Sequence, residues 1–230
     1  MKKTFIIGDV HGCYDELIEL LNTINPSPQD DVYYIGDLIN KGPKSIEVLE
    51  HVLASKATVI LGNHELHFAN NTRAKNPKSK YFHQLKEQMG EKLDFYVNWF
   101  DSLPRYIETD EFLLVHGGVV PGEHPSKSKV YNLVTIRTWD GCGKDLNNPQ
   151  HQPWFHFYND DKLVVFGHWA ALGLYISENA IGLDSGCCYG NKLTALELPG
   201  RKIHQVKAKK AYQSITDRKA YQPPPNIIKK

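Results

Sequence analysis

Five apolar runs in this chain share one kind of ending, and that ending restricts the fold more than any other feature. "FII" runs into "GDVHG", "VYYI" into "GDLINKG", "VIL" into "GNHE", "FLLV" into "HGG" and "LVVF" into "GHW". A short, continuous apolar run bounded by glycine reads as a buried strand. In open α/β sheets the functional side chains collect beyond the carboxyl ends of the strands. Asp9, His11, Asp37, Asn63, His64, His116 and His168 are therefore candidates for one shared edge.

The spacing between the runs supports this. Tyr14 to Ile24 carries Leu17, Ile18, Leu20, Leu21 and Ile24 on one helical face, and Lys44 to Ser55 does the same with Ile46, Leu49, Val52 and Leu53. Strands at 4–7, 31–35 and 57–61 alternate with these helices, which predicts parallel strands with right-handed crossovers. A helical segment follows from Glu65, another helix spans Lys92 to Leu103, and 111–116 is a strand. Residues 119–161 read as loop-rich. Short runs at 162–167, 174–177, 180–184, 192–198 and 202–208 read as antiparallel strands. The expected fold class is mixed α/β, with two mixed sheets packed face to face and helices outside. The domain is expected to cover 1–208, followed by a basic tail at 209–230 that packs in part or is mobile.

The candidate set is oxygen from carboxylates and one amide, plus imidazole nitrogen, with no thiolate. It suits Mn, Fe, Co, Ni or Zn. Any one of these endings alone is more often a turn or helix cap than a ligand pair. Together they hold too many donors for one ion and about enough for two. A pair of ions ~3.5–4 Å apart is suited to in-line displacement at phosphorus.

Charge and cysteine usage exclude other classes. From Arg201 onward there are nine Lys or Arg against Asp217 alone, whereas residues 1–200 hold 18 basic and 25 acidic residues. The tail can attract a polyanion, although a solvated tail explains it as well. Cys13, Cys142, Cys187 and Cys188 form neither a CxxC pair nor a disulfide framework. Reduced thiols and a cytoplasmic location are expected, and the absence of an apolar run of 18 residues predicts no transmembrane helix.

The ordered series GDxHG, GDxxxxG, GNHE, HGG and GH resembles the phosphoprotein-phosphatase branch of the calcineurin-like metallophosphoesterases. Within that branch "GDVHGCYDEL", "PWF", "GHWA" and "LDSGCCYGNKLTALEL" are similar to the bacterial symmetrical bis(5'-nucleosyl)-tetraphosphatases. The resemblance implies a four-layer α/β/β/α sandwich. It implies a dimetal phosphohydrolase that splits diadenosine tetraphosphate and related dinucleoside polyphosphates symmetrically to ADP, with serine/threonine or tyrosine protein phosphatase as the alternative. It also implies two divalent ions, Mn before Fe, Zn, Co or Ni. Asp9 and His11 would hold the first ion, Asp37 would bridge, and Asn63, His116 and His168 would hold the second. A bridging hydroxide would attack phosphorus, and His64 would protonate the leaving oxygen. The implied partner is a nucleotide or a phosphoprotein, with capped RNA as the one nucleic acid to consider and no membrane.

Four departures matter. Lys41 stands where the family usually has arginine, so the charge is kept but the planar fork is lost. Arg137 in "TIRTWDG" is then a candidate phosphate ligand, with a structural salt bridge as the plain alternative, and Tyr189 is a candidate phosphate contact. Asn40 stands where the protein phosphatases carry aspartate, which leans toward the dinucleotide hydrolases. "HGG" and "GNHE" lean the other way, and much of the insertion that tetraphosphatases carry before "PWF" is missing. Cys187 and Cys188 read as packing. Trp139, Trp154, Phe155 and Trp169 could either stack on a base or anchor loops.

Overall fold

The computed structural model describes residues 2–77 and 79–214. The first sheet is built from β1 (Thr4–Ile7), β2 (Asp31–Tyr34), β3 (Thr58–Val59), β11 (Lys192–Leu198) and β12 (Lys202–Lys207), in the order β12-β11-β1-β2-β3. β1, β2 and β3 pair in parallel, and α1 (Tyr14–Ile24) and α2 (Ser45–Ala54) make the crossovers. The second sheet has the order β4-β5-β8-β10-β9, from β4 (Tyr106–Glu108), β5 (Phe112–Val115), β8 (Leu163–Phe166), β9 (Tyr175–Ile176) and β10 (Ala180–Gly182). β6 (Thr138–Trp139) and β7 (Gln152–Pro153) form a separate two-stranded ribbon.

Both faces of each sheet are covered, which is why the strands read as unbroken apolar runs. Phe5 and Ile7 point into a cluster with Leu17, Leu20 and Leu49 of the helices. Ile6, between them, points the other way and meets Leu114, Val165 and Ile181 of the second sheet. On the far face Val164 and Phe166 pack against Trp154 and Phe155. The layers are thus helix, sheet, sheet and an outer cover. That cover is formed by the short α6 (Val130–Thr135), the 3-10 turn Trp154–Phe157 and loops.

The second half of the chain is not antiparallel throughout. β5, β8 and β10 are parallel neighbours, and only the edge strands β4 and β9 run against them. Long connections between β5 and β8 and between β8 and β10 return the chain to the same end of the sheet. α3 (Asn63–Arg73) begins at the ligand candidate itself, two residues before the expected start. α4 (Lys80–Met89) was not legible as a periodic run. Only Phe82, Leu85 and Met89 face its core, and the rest of the helix is polar. α5 (Leu93–Ser102) lies inside the expected bounds.

The first part of the basic tail is tied down. Glu16 Oε1 accepts from the Lys209 N–H at 3.0 Å and the Tyr212 hydroxyl at 2.8 Å, and Gln213 donates to the Lys41 carbonyl at 3.0 Å. The expectation for 215–230 lies outside the described residues.

Candidate metal centre

The parallel strands of both sheets deliver their endings to one edge. Asp9 and His11 follow β1, Asp37 follows β2, Asn63 opens α3 after β3, His116 follows β5 and His168 follows β8. The backbone that carries them is unusual. His11 (φ 48°), Asp37 (φ 51°), Asn40 (φ 69°), Lys41 (φ 67°) and His168 (φ 65°) are left-handed, a region that costs an L-residue about 1–2 kcal/mol. Such conformations persist only where the surroundings over-determine them. Here Glu65, fully buried, accepts from the N–H groups of Asp37 (2.9 Å), Leu38 (2.9 Å) and Ile39 (3.3 Å) and holds the turn after β2. The His11 N–H donates to the Asp37 carbonyl at 2.8 Å and cross-links the first two endings.

Two glycines are required by contact. A Cβ on Gly62 would lie 2.2 Å from the Asp37 nitrogen, and one on Gly167 would lie 2.2 Å from Asp9 Oδ1. These two glycines let a strand terminus approach a carboxylate-bearing residue of another ending.

Asp37 sits at the centre. Its Oδ2 is 3.4 Å from His11 Nε2 and 4.0 Å from His64 Nε2, and its Oδ1 is 3.4 Å from His116 Nε2. Asn63 Oδ1 is 3.0 Å from His116 Nε2 and 2.6 Å from His168 Nδ1. His11 Nδ1 faces the Ile39 carbonyl at 3.1 Å, and His116 Nδ1 faces the Ile35 carbonyl at 2.7 Å. A carbonyl can only accept, so both rings carry Nδ1–H and turn Nε2, the atom left to bind a cation or a proton, toward Asp37. A neutral metal-ligating histidine takes this tautomer. Two groupings, His11–Asp37–His64 and Asp37–His116–His168, each bring their donor atoms within 4.8 Å, and Asp37 is common to both. Asp9 lies beside them, its carboxylate accepting the His168 backbone N–H at 3.0 and 3.2 Å.

The electrostatics fit cations. Burial and the neighbouring Asp184 carboxylate push Asp9 well above the usual carboxylate range, and burial also raises Asp184. Burial opposes ionisation of Asp37 as well, but His116 and His64 outweigh it and hold Asp37 low. Burial disfavours charge on His116, yet Asp37 and Asp9 lift it to about 9. Desolvation lowers His64 to about 3. The Lys41 ammonium stands 2.6 Å from His11 Nε2, in a position where a cation meets that lone pair. Oxygen and imidazole donors, oriented tautomers and crowded buried carboxylates together suit a pair of divalent ions.

The remaining candidates lie around this cluster. Asn40 Nδ2 is 2.9 Å from His64 Nδ1. Lys41 Nζ lies 5.4 Å from the centre of the Tyr189 ring. Arg137, just before β6, is close enough to His168 to lower its pKa, and donates to Asn147 Oδ1 at 3.4 Å. Two buried acids beside this cluster carry no role read from the sequence, Glu65 and Asp184. Glu65 closes the quoted "GNHE". Asp184 ends a sixth strand-like run, "AIGLD", and that repetition was the available signal.

A family model described as calcineurin-like phosphoesterase matches residues 2–197. The symmetrical bis(5'-nucleosyl)-tetraphosphatase of Coxiella burnetii (strain Dugway 5J108-111) is 32% identical, with 91% of this chain and 93% of that protein covered. The protein of the same name from Vibrio parahaemolyticus is 31% identical, over 87% of this chain and 97% of its own length. These alignments run to 272 and 264 positions against a chain of 230, so the relatives carry segments that this chain lacks. A solved structure provisionally assigned as a diadenosine tetraphosphatase superposes with a TM-score of 0.80 at 28% identity, over 90% of this chain and 94% of that one. A yeast protein serine/threonine phosphatase superposes at 0.59 with 15% identity, over 91% and 81%, which is a likeness of fold alone. On the match of the family model across most of its length and on these relatives, the chain belongs to the calcineurin-like phosphoesterases, a family whose metal-dependent hydrolases work through a dinuclear divalent centre.

Proposed function

We propose that the chain hydrolyses dinucleoside tetraphosphates symmetrically, releasing two ADP from diadenosine tetraphosphate. Relatives of that name align over most of the chain. The observation that carries the choice within the family is the contact of Asn40 with His64, at 2.9 Å. An amide N–H can donate only to an unprotonated Nδ1, so neutral His64 carries its proton on Nε2, the atom that faces Asp37. A carboxylate at position 40 would instead favour the imidazolium.

Asp9, His11 and Asp37 would hold one divalent ion, and Asp37, Asn63, His116 and His168 the other. Bound there, the ions would supply Lewis-acid stabilisation and a nucleophile at neutral pH. The residues do the rest. Lys41 and Arg137 bring positive charge to the phosphoryl oxygens, with Tyr189 beside Lys41. Water oxygen bonds to phosphorus in line as the bond to the departing ADP oxygen breaks; His64, charged to the imidazolium with the Asn40 amide turned so that its oxygen accepts from Nδ1–H, gives that oxygen the Nε2 proton, and the proton given up by the water recharges the ring. Mn is the metal proposed for the native enzyme. Among the described residues no helix is long and apolar enough to cross a membrane. The free buried thiols of Cys13, Cys187 and Cys188 support a reducing, cytoplasmic setting.

The test is product chromatography after incubation with diadenosine tetraphosphate and Mn²⁺. Two ADP per substrate, lost in Asp37→Asn, is the expected result. AMP plus ATP, or faster phosphate release from a phosphopeptide, would overturn the assignment.

A further inference from the structure

Beside Lys41 lies a cavity of about 200 Å³ between α4 and the C-terminal segment, and neither the metal centre nor the proposed chemistry uses it. Its walls come from segments far apart in sequence. Tyr81, Gln84 and Gln88 line it from α4, spaced as one helical face next to the buried stripe of Phe82, Leu85 and Met89. Tyr212 and Gln213 line it from the C-terminal side. Gln213 ties the walls together, accepting from the Tyr81 hydroxyl at 3.2 Å and donating to the Lys41 carbonyl at 3.0 Å. Tyr81 and Asn40 also border a second cavity, of about 230 Å³, which is lined by His64. A ligand in the first cavity therefore borders Lys41 and is separated from the cavity at His64 by the shared residues Asn40 and Tyr81.

We infer that this cavity seats one adenine nucleoside of the substrate, an inference that rests on the dinucleotide reading above. Drug-sized ligands take cavities of roughly 300–1,000 Å³, so this one suits a single base with part of its sugar. Its lining combines two tyrosines and four neutral amides with Gly42, Ser45 and the apolar Pro43 and Leu85, and Lys41 is its one charged residue. That composition matches an uncharged heterocycle attached to a polyphosphate. Tyr81 and Tyr212 offer stacking faces, which are sequence-tolerant. Gln84 and Gln88, exposed and one turn apart, supply the discrimination. A glutamine amide pairs in bidentate fashion with adenine N6 and N7, whereas guanine presents two acceptors at that edge.

The experiment compares wild type with Gln84→Leu/Gln88→Leu and, separately, Tyr212→Ala, all loaded with Mn²⁺. The substrates are diadenosine tetraphosphate, diguanosine tetraphosphate and p-nitrophenyl phosphate, which has no base. The double variant should raise KM for the adenine substrate about 5- to 50-fold with kcat within about twofold, and should lose about 5-fold or more of the adenine preference. Tyr212→Ala should raise KM for both dinucleotides, and p-nitrophenyl phosphate should be unaffected in either protein. Equal loss on all three substrates would mean a structural defect and would overturn the subsite, as would unchanged KM values. A wild-type protein that cleaves p-nitrophenyl phosphate but neither dinucleotide refutes the dinucleotide reading itself.

Discussion

Replacing Glu65 by glutamine changes almost no volume yet attacks the turn that carries Asp37. The carboxylate offers one oxygen to the Asp37 N–H and the other to Leu38 and Ile39. A glutamine has one acceptor oxygen and one NH₂. In its better orientation the oxygen keeps Leu38 and Ile39, and the NH₂ meets the Asp37 N–H donor to donor. The orphaned buried N–H costs about 1–3 kcal/mol, and replacing a charged by a neutral acceptor for the other two adds about 1 kcal/mol, giving ~2–4 kcal/mol. The flipped orientation orphans two donors and is worse. Against a total stability of about 5–15 kcal/mol this is a large fraction. With a urea slope of about 2–3 kcal/mol/M, the midpoint should fall by roughly 1 M. The measurement belongs in mildly alkaline buffer, because burial and the Asp37 charge push the Glu65 carboxyl up. Metal affinity should also fall, by about 10- to 100-fold, as it does when a group that orients a ligand is lost. A midpoint shift under about 0.3 M, with unchanged Mn²⁺ affinity, would refute the clamp.

His64→Asn should lower kcat by about 10²–10⁴ while bound-metal stoichiometry stays unchanged, since this imidazole is assigned proton transfer rather than coordination. Stripping metal with a chelator should lower the melting temperature, because Asp9, Asp37 and Asp184 are then buried together without a cation. Mn²⁺ restored at about 100 times its Kd should return ~2.7 kcal/mol, and a melting temperature indifferent to Mn²⁺ would contradict the site. Asp140 accepts from the N–H groups of Cys142, Gly143, Lys144 and Asp145 at 2.6–3.0 Å, which hold its pKa well below the usual carboxylate range. A depressed acid stabilises fully above its unfolded pKa of about 3.9 and loses that contribution as pH falls through the folded value. Hydrogen exchange of the 140–145 loop should therefore be protected near neutrality and in Asp140→Ala should lose that protection. Equal exchange in the two proteins would rule out the clamp at Asp140.

The candidate metal cluster was legible because its residues sit in short motifs. Asp9 with His11, and Asn63 with His64, are close in sequence, and each pair follows a short apolar run that reads as a strand. What was misread depended on partners far along the chain. The pairing direction of β5, β8 and β10 is set by where loops of a dozen or more residues return the chain, and an apolar run looks the same in either direction. α4 buries three side chains against a core made by other helices, too few for its own periodicity to announce it.

By itself the sequence determined the chemistry, namely hard and borderline donors at the ends of buried strands, because residue type and adjacency are local properties. Only the tertiary structure decided how those donors are held and what surrounds them. Glu65 reaches back 28 residues to Asp37, Asp184 comes to lie near Asp9, and Gln213 reaches 172 residues back to Lys41. Contacts across such separations leave no trace in spacing, since they exist only once the two sheets and their helices have closed around the same edge.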